Sequence, residues 1–158
     1  MAGNPVDQNF LTTLSLVSRR LKSEAERRLI QHGVHAGQQF ILECLWDRNG
    51  LTPGEIAQRI KVEAPTVTRA IQRMEASGLV VVGADESDGR RVRIWLTHKG
   101  VALRKVVPQV VAGLQDDALA KLSANERTEF VRLLGLVSDA LATTASGRLG
   151  DEAPAGVG

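Results

Sequence analysis

The side chains of this 158-residue sequence that could do chemistry are mainly arginines and threonines, and four of them fall between positions 66 and 73. They are Thr66, Thr68, Arg69 and Arg73. A guanidinium group pairs bidentately with the edge of a guanine or binds a phosphate, and a threonine contacts a phosphate or the methyl group of thymine. This combination is typical of a surface that binds in a DNA groove.

A further cation, Arg90, ends the polar, turn-rich stretch at residues 85–90, and Arg91 follows it directly. The stretch separates a β-branched apolar run at 79–82 from a segment in which Val92, Ile94 and Leu96 alternate with polar or aromatic residues. A period of two residues on both sides of a turn predicts a β-hairpin with an exposed tip. A cationic hairpin tip can reach a minor groove or the phosphate backbone.

The segment at 66–73 needs a helix to carry its side chains into a groove. Val67, Ile71 and Met74 recur at helical spacing, and Pro65 suits the first turn, so we predict a helix with the polar side chains facing outward. Upstream, Thr52-Pro-Gly-Glu55 forms a capping box that starts another short helix. Two short helices followed by a hairpin predict a winged helix-turn-helix, whose second helix enters the DNA major groove.

Further helices flank this lobe. Apolar residues recur every three or four positions from Phe10 to Leu29 and predict a long first helix, and the dense apolar run from Phe40 to Trp46 predicts a short buried one. Thr97 is the predicted cap of a long helix with a kink or break at Pro108. A second capping box, Ser123-Ala-Asn-Glu126, starts the last helix.

We therefore predict a mainly α fold with a small β-hairpin wing, in a single domain spanning residues 1–158. The winged helix-turn-helix lobe occupies residues 37–97, and the flanking helices occupy residues 8–36 and 98–142. Residues 143–158 lose the apolar periodicity, and we expect them to be disordered.

Charge and cysteine usage narrow the class of protein. Residues 59–99 carry eight basic and five acidic side chains, whereas residues 113–158 carry four basic and seven acidic ones, so an anionic partner would bind near the middle of the chain. Cys44 is the sole cysteine, which excludes an intrachain disulfide framework and favours a reducing compartment. We find no export signal and no membrane-spanning apolar run, and we expect a cytoplasmic protein.

Catalysis and metal binding have little support in the sequence. The three histidines, His32, His35 and His98, have no nucleophile, acid–base or metal-ligand pattern around them, and there is no glycine-rich phosphate loop. Cys44 and the first two histidines do not have the spacing of a zinc finger or ribbon. We therefore predict no enzyme activity, no cofactor and no metal.

Four motifs point to one family. They are Thr66-Val-Thr-Arg69, Gly78-Leu-Val80, Asp88-Gly-Arg90 and Leu96-Thr-His-Lys-Gly100. Through them the sequence resembles the MarR family of winged helix-turn-helix transcriptional regulators over residues 8–142. The resemblance implies a homodimer built from the N- and C-terminal helices, which binds pseudo-palindromic double-stranded promoter DNA, usually as a repressor released by a small-molecule ligand or an oxidant.

Within this resemblance, the helix residues receive distinct roles. Arg69 is the best candidate to contact a base edge, because it lies near the N-terminal end of the recognition helix. Thr66 and Thr68 would contact phosphates or a thymine methyl group. Arg73, one turn later, would bind a phosphate.

The remaining predicted DNA contacts lie outside that helix. Arg90 matches the minor-groove or backbone contact of the family, with Asp88 orienting it through an ion pair, and Arg91 is a weaker addition. Gln39 and Thr52 lie near the N-termini of the two preceding short helices, where free amides could help bind a phosphate.

Other functions of the same fold remain open. An oxidant-sensing or metal-sensing regulator would use Cys44, but its apolar helix disfavours a thiolate, and the family's peroxide-sensing members carry their cysteine in the first helix. A winged-helix protein-interaction module without DNA binding is the second alternative, and the basic wing argues against it.

Overall fold

The computed structural model describes the backbone of residues 5–148 and the side chains of residues 9–144. Over these residues the chain forms seven α-helices and one two-stranded sheet. In chain order the elements are α1 (Pro5–Leu29), α2 (Gln38–Asp47), α3 (Pro53–Ile60), α4 (Ala64–Ala76), β1 (Val80–Ala84), β2 (Val92–Leu96), α5 (His98–Ala102), α6 (Val107–Ala118) and α7 (Ala124–Arg148). The mainly α fold with a hairpin wing is confirmed.

Both predicted capping boxes are present. At the start of α3, Thr52 Oγ1 accepts a hydrogen bond from the Glu55 amide at 3.2 Å, and the Thr52 amide donates to Glu55 Oε2 at 2.8 Å. Ser123 and Glu126 form the same reciprocal pair at the start of α7. Thr97 caps α5 as predicted, because its hydroxyl oxygen accepts a hydrogen bond from the Gly100 amide.

An apolar core joins α2, α3 and α4 to the hairpin. Its fully buried side chains include Leu42 and Leu45 of α2, Ile56 of α3, Met74 of α4 and Ile94 of β2. Burial of each such side chain contributes about 1.5–3 kcal/mol relative to exposure. The helix that carries the candidate DNA-contacting residues is thus fixed by packing on its inner face.

The hairpin is fixed to the loop between α2 and α3. Val80 lies opposite Leu96 in the antiparallel register, and Leu51 adds a bridge to Ile94. Gly50 lies in the left-handed region at φ 78°, and a Cβ atom added to it would lie 2.5–2.8 Å from ring atoms of Trp95. Only glycine combines that backbone conformation with such a close approach of the indole ring.

The helix predicted after Thr97 is divided in two. Helix α5 ends at Ala102, a 3₁₀ turn spans Leu103–Lys105, and α6 begins at Val107. The predicted interruption is present, but it lies on the N-terminal side of Pro108. The proline occupies the first turn of α6, where its missing amide proton is not needed.

The last helix is longer than predicted. Helix α7 continues to Arg148, so the predicted disorder is wrong for residues 143–148, and residues 149–158 lie outside the described residues. The described residues form two compact units, one ending at Gln115 and the other beginning at Asp116. None of the described helices is both long and apolar enough to span a membrane.

Candidate nucleic-acid interface

Helix α4 has one buried and one exposed face. Its buried side chains are Val67, Ile71 and Met74. The four side chains predicted to contact DNA all lie on the exposed face: Thr66, Thr68, Arg69 and Arg73. The amphipathic pattern therefore placed these residues correctly, and their contacts with DNA stay predictions.

The positive charges on the exposed face of α4 are those of Arg69 and Arg73. Among the described residues, neither Arg69 nor Arg73 forms an ion pair, and their separation by four positions places them on one side of the helix. The Thr68 hydroxyl donates a hydrogen bond to the Ala64 carbonyl oxygen at 3.1 Å. Because its proton is used inside the helix, Thr68 is better placed to offer its methyl group to a thymine than to donate to a phosphate.

The C-terminal end of α4 is bound to the structure that follows it. Glu75 Oε1 accepts a hydrogen bond from the Val82 amide of β1 at 3.1 Å. Lys99 Nζ donates to the Ser77 carbonyl oxygen at 3.0 Å, and a cation there also opposes the negative end of the helix dipole. The orientation of α4 relative to the hairpin is thus set by specific contacts, which the sequence analysis did not identify.

The wing tip contains one free arginine. Residues 85–93 carry three acidic and three basic side chains, so the wing that we predicted to be basic has no net charge. Arg91 lies 3.8 Å from an Asp88 carboxylate oxygen, whereas Arg90 forms no ion pair with another described residue. The predicted Asp88–Arg90 ion pair is therefore wrong, because Asp88 accepts a hydrogen bond from the Arg90 backbone amide at 3.1 Å instead. The Arg90 guanidinium remains available to DNA.

Arg93, which we did not predict as a site residue, holds the base of the wing. Its Nε donates to Asp85 Oδ2 at 2.6 Å, and its Nη1 donates to the Gly50 carbonyl oxygen at 2.7 Å. Asp85 is buried and also accepts hydrogen bonds from the hydroxyl and amide of Ser87. The bonds from Ser87, followed by the bond from Arg93, hold the pKa of Asp85 well below its usual range.

Two predicted phosphate contacts have other roles in the structure. Gln39 is only 7% exposed, and its Oε1 accepts a hydrogen bond from the Gly37 amide at 2.6 Å, so it stabilises the start of α2 instead of facing solvent. Thr52 uses its hydroxyl in the capping box, and Pro53 has no amide proton. The start of α3 therefore offers a phosphate fewer free amides than the sequence suggested.

Comparison with known proteins identifies the family. The MarR family model matches residues 35–92. The HTH-type transcriptional repressor Mb2911 of Mycobacterium bovis is 30% identical over 114 residues, which cover 72% of this chain and 82% of the relative. The chain belongs to the MarR family.

Other proteins are similar to this chain over part or most of its length. TtmR of Methylorubrum extorquens is 36% identical over 89 residues, but these cover only 46% of that regulator. The crystal structure of SlyA superposes with a TM-score of 0.77 at 24% identity, covering 86% of this chain and 96% of SlyA. The structure of the MepR–DNA complex of S. aureus superposes with a TM-score of 0.74 at 24% identity. The match covers 82% of this chain and 97% of MepR. At these identities the two structures show the shared winged-helix fold.

The MarR-family match contains every residue that we predicted to contact DNA, because it extends from the start of the helix-turn-helix to the first residue of β2. The chain is accordingly a DNA-binding transcriptional regulator of this family. The residues that set its sequence preference must be argued from the geometry of α4 and the wing.

The single cysteine of this MarR-family chain lies on α2, beside a shallow groove of about 480 Å³ that Phe40 and Arg59 also line. Burial raises the pKa of the Cys44 thiol, which lowers the fraction of reactive thiolate.

Among the histidines, His35 has a carboxylate partner: its Nδ1 lies 2.7 Å from a carboxylate oxygen of Glu26. The described residues contain no cluster of three possible metal ligands.

Proposed function

We propose that this chain is a repressor that binds pseudo-palindromic promoter DNA as a homodimer and is released by a small-molecule ligand. The observation that carries the proposal is that three arginines at the tips of the described lobe form no ion pair with another described residue: Arg69 and Arg73 on α4, and Arg90 at the wing tip. No internal ion pair has to break before these groups bind DNA. In support, Mb2911 is named a repressor, and MepR was solved bound to DNA.

The three arginines have different tasks in this proposal. Arg69 reads a guanine edge in the major groove, a contact that contributes about 1–3 kcal/mol of discrimination, while the methyl groups of Thr66 and Thr68 contact thymine. Arg73 binds a phosphate and adds affinity without sequence preference. Arg90 enters the flanking minor groove or contacts its backbone, with Arg91 beside it.

The homodimer in this proposal is formed through the terminal helices. Exposed apolar side chains of α1 include Phe10, Leu11 and Val17, which are 48%, 71% and 41% exposed. On α7, Leu136 and Leu141 are 54% and 65% exposed. Large exposed apolar side chains concentrated on each of these two helices are costly in water and mark an interaction site, which we assign to a second copy of the chain.

The dimer determines both the operator and the mode of release. Two copies of α4 related by a twofold axis would enter successive major grooves about 34 Å apart, so the operator would be an inverted repeat. A ligand shifts an equilibrium only by its differential affinity for two states. The inducer must therefore bind more tightly to the form whose helices do not match the half-site spacing.

Selection of bound duplexes from a random-sequence library tests this function. We expect an enriched inverted repeat with half-site centres about 10 base pairs apart, and binding to the selected duplex that weakens by orders of magnitude from about 50 to 200 mM salt. We also expect the protein without DNA to sediment with the mass of a dimer in analytical ultracentrifugation. Failure to enrich any sequence, together with salt-insensitive binding, would favour the protein-interaction module instead.

A further inference from the structure

The part of β2 nearest the core is fixed by hydrogen bonds of its backbone to the loop between α2 and α3. Ile94 accepts a hydrogen bond from the Gly50 amide at 3.0 Å and donates one to the Leu51 carbonyl oxygen at 2.8 Å. The Leu96 amide donates to Asn49 Oδ1 at 3.0 Å. These contacts attach the inner half of the hairpin to the loop between α2 and α3, and none of them extends to the turn that carries Arg90.

The outer half of the wing is attached differently, through the side chain of Arg93. One end of its guanidinium bonds the Gly50 carbonyl oxygen and the other bonds Asp85, the residue at which the tip turn begins. Asp85 in turn binds the amide and hydroxyl of Ser87. We call this set of four residues, Gly50, Asp85, Ser87 and Arg93, the wing brace.

The wing brace is stronger than an ordinary surface ion pair. The Asp85 side chain is only 6% exposed and that of Arg93 is 27% exposed, so water screens their interaction less than that of an exposed pair. Both arginine contacts lie at short, charge-assisted hydrogen-bond distances. The brace therefore holds the start of the tip turn in one position relative to the lobe.

A wing without net charge needs such positioning. General attraction to phosphates cannot draw in a tip whose three arginines are matched by three carboxylates, so the contact depends on where the free Arg90 guanidinium lies. A hairpin held only by its own two strands is marginally stable, and ordering it on binding would reduce affinity.

From these contacts we infer that Arg93 is a positioning residue, which acts through Asp85 to hold Arg90 in the orientation that contacts DNA. The inference rests on the proposed function, because it concerns how the proposed wing contact is made. Arg93 itself is engaged within the protein and does not contact DNA in this arrangement. Its removal should abolish the contribution of Arg90 while leaving the major-groove contact of α4 intact.

A double-mutant cycle on the selected operator duplex tests the inference. The dissociation constant is measured for the wild type, Arg90→Ala, Arg93→Met and the double variant. We expect Arg90→Ala to weaken binding about tenfold in the wild type but less than about twofold in the Arg93→Met background. Hydroxyl-radical footprints should lose protection at the operator flanks in Arg93→Met and keep it where α4 binds.

Two further variants separate positioning from loss of charge or loss of fold. Arg59→Met is the matched control: it removes an arginine that pairs with Asp47 at 3.1 Å outside the wing, and it should leave the effect of Arg90→Ala near tenfold. If Arg93→Met fails to fold by circular dichroism, Asp85→Asn takes its place, because it weakens the brace and retains the acceptor for Ser87.

The outcomes distinguish the inference from the proposed function. If Arg90→Ala still raises the dissociation constant about tenfold in the Arg93→Met background, the positioning role of Arg93 is wrong. The proposed contact between Arg90 and DNA is then unaffected. No effect of Arg90→Ala in the wild type refutes the wing contact itself, and with it the inference. The inference is supported if Arg90→Ala has little effect on binding in the Arg93→Met background while the operator remains protected where α4 binds.

Discussion

Replacement of Gly50 by alanine probes how closely the wing base packs on the lobe. Gly50 has a φ of 78°, and a new Cβ would lie 2.5–2.8 Å from three atoms of the Trp95 ring. The left-handed conformation disfavours alanine by about 1–2 kcal/mol. The overlap with the indole adds about 1–3 kcal/mol, because the ring or the backbone must shift. We expect Gly50→Ala to lower the free energy of unfolding by about 2–5 kcal/mol.

Gly78 supplies a matched control for the backbone part of this effect. Its φ is 73°, and no atom lies within 4 Å of the position that a Cβ would occupy. Gly78→Ala should therefore lower the free energy of unfolding by only about 1–2 kcal/mol. The difference between the two glycine variants isolates the contact with the indole ring.

The free energy of unfolding of both variants is measured by urea unfolding followed by circular dichroism. All measurements use one protein concentration, because the stability of a dimer depends on concentration. In a Trp95→Val background the ring is absent, and Gly50→Ala should then have about the effect of Gly78→Ala. Equal effects of the two glycine variants in the wild-type background would refute this explanation of the close packing. An unchanged effect of Gly50→Ala in the Trp95→Val background would refute it as well.

Three more predictions concern the cap, an ion pair and the thiol. Thr52→Ala should lower the free energy of unfolding in urea by about 1 kcal/mol, because the α3 amides lose their cap; no measurable change would contradict the capping role. Hydrogen bonds from Arg27 and Arg28 lower the pKa of Glu24 from 4.5 to about 2, so its stabilising effect is complete above pH 4.5 and is lost as the pH falls towards 2. The difference in melting temperature between wild type and Glu24→Gln should narrow across that interval, and a constant difference would count against the pairing. Because burial raises the pKa of Cys44, iodoacetamide near neutral pH should alkylate the folded chain more slowly than the urea-unfolded chain, and equal rates would show that the thiol is not protected.

Features encoded within a few residues could be predicted from the sequence. The capping boxes at Thr52 and Ser123 depend on side chains three positions apart, and the structure forms both. The exposed face of α4 follows from the period of its apolar stripe, so Arg69 and Arg73 were placed on the correct side. In each case the determining interactions lie within one helix.

Features that depend on the register of strands or on packing between elements could not be predicted. Asp85 meets Arg93 only because the hairpin closes in one particular register, which the loop residues do not specify on their own. Gln39 has an ordinary polar side chain, and only the packing around α2 shows that it is buried. The wing brace was missed because its members are up to 43 positions apart.

The central claim is that α4 reads the operator through Arg69. The most direct measurement is selection of bound duplexes by Arg69→Ala in parallel with the wild type. The preference should relax at one base pair in each half-site, with a loss of about 1–3 kcal/mol on the wild-type operator. Under the same conditions, Arg90→Ala should weaken all sequences alike and reduce the salt slope by about one. Retention of the full wild-type base preference by Arg69→Ala would contradict the assignment of sequence reading to this residue.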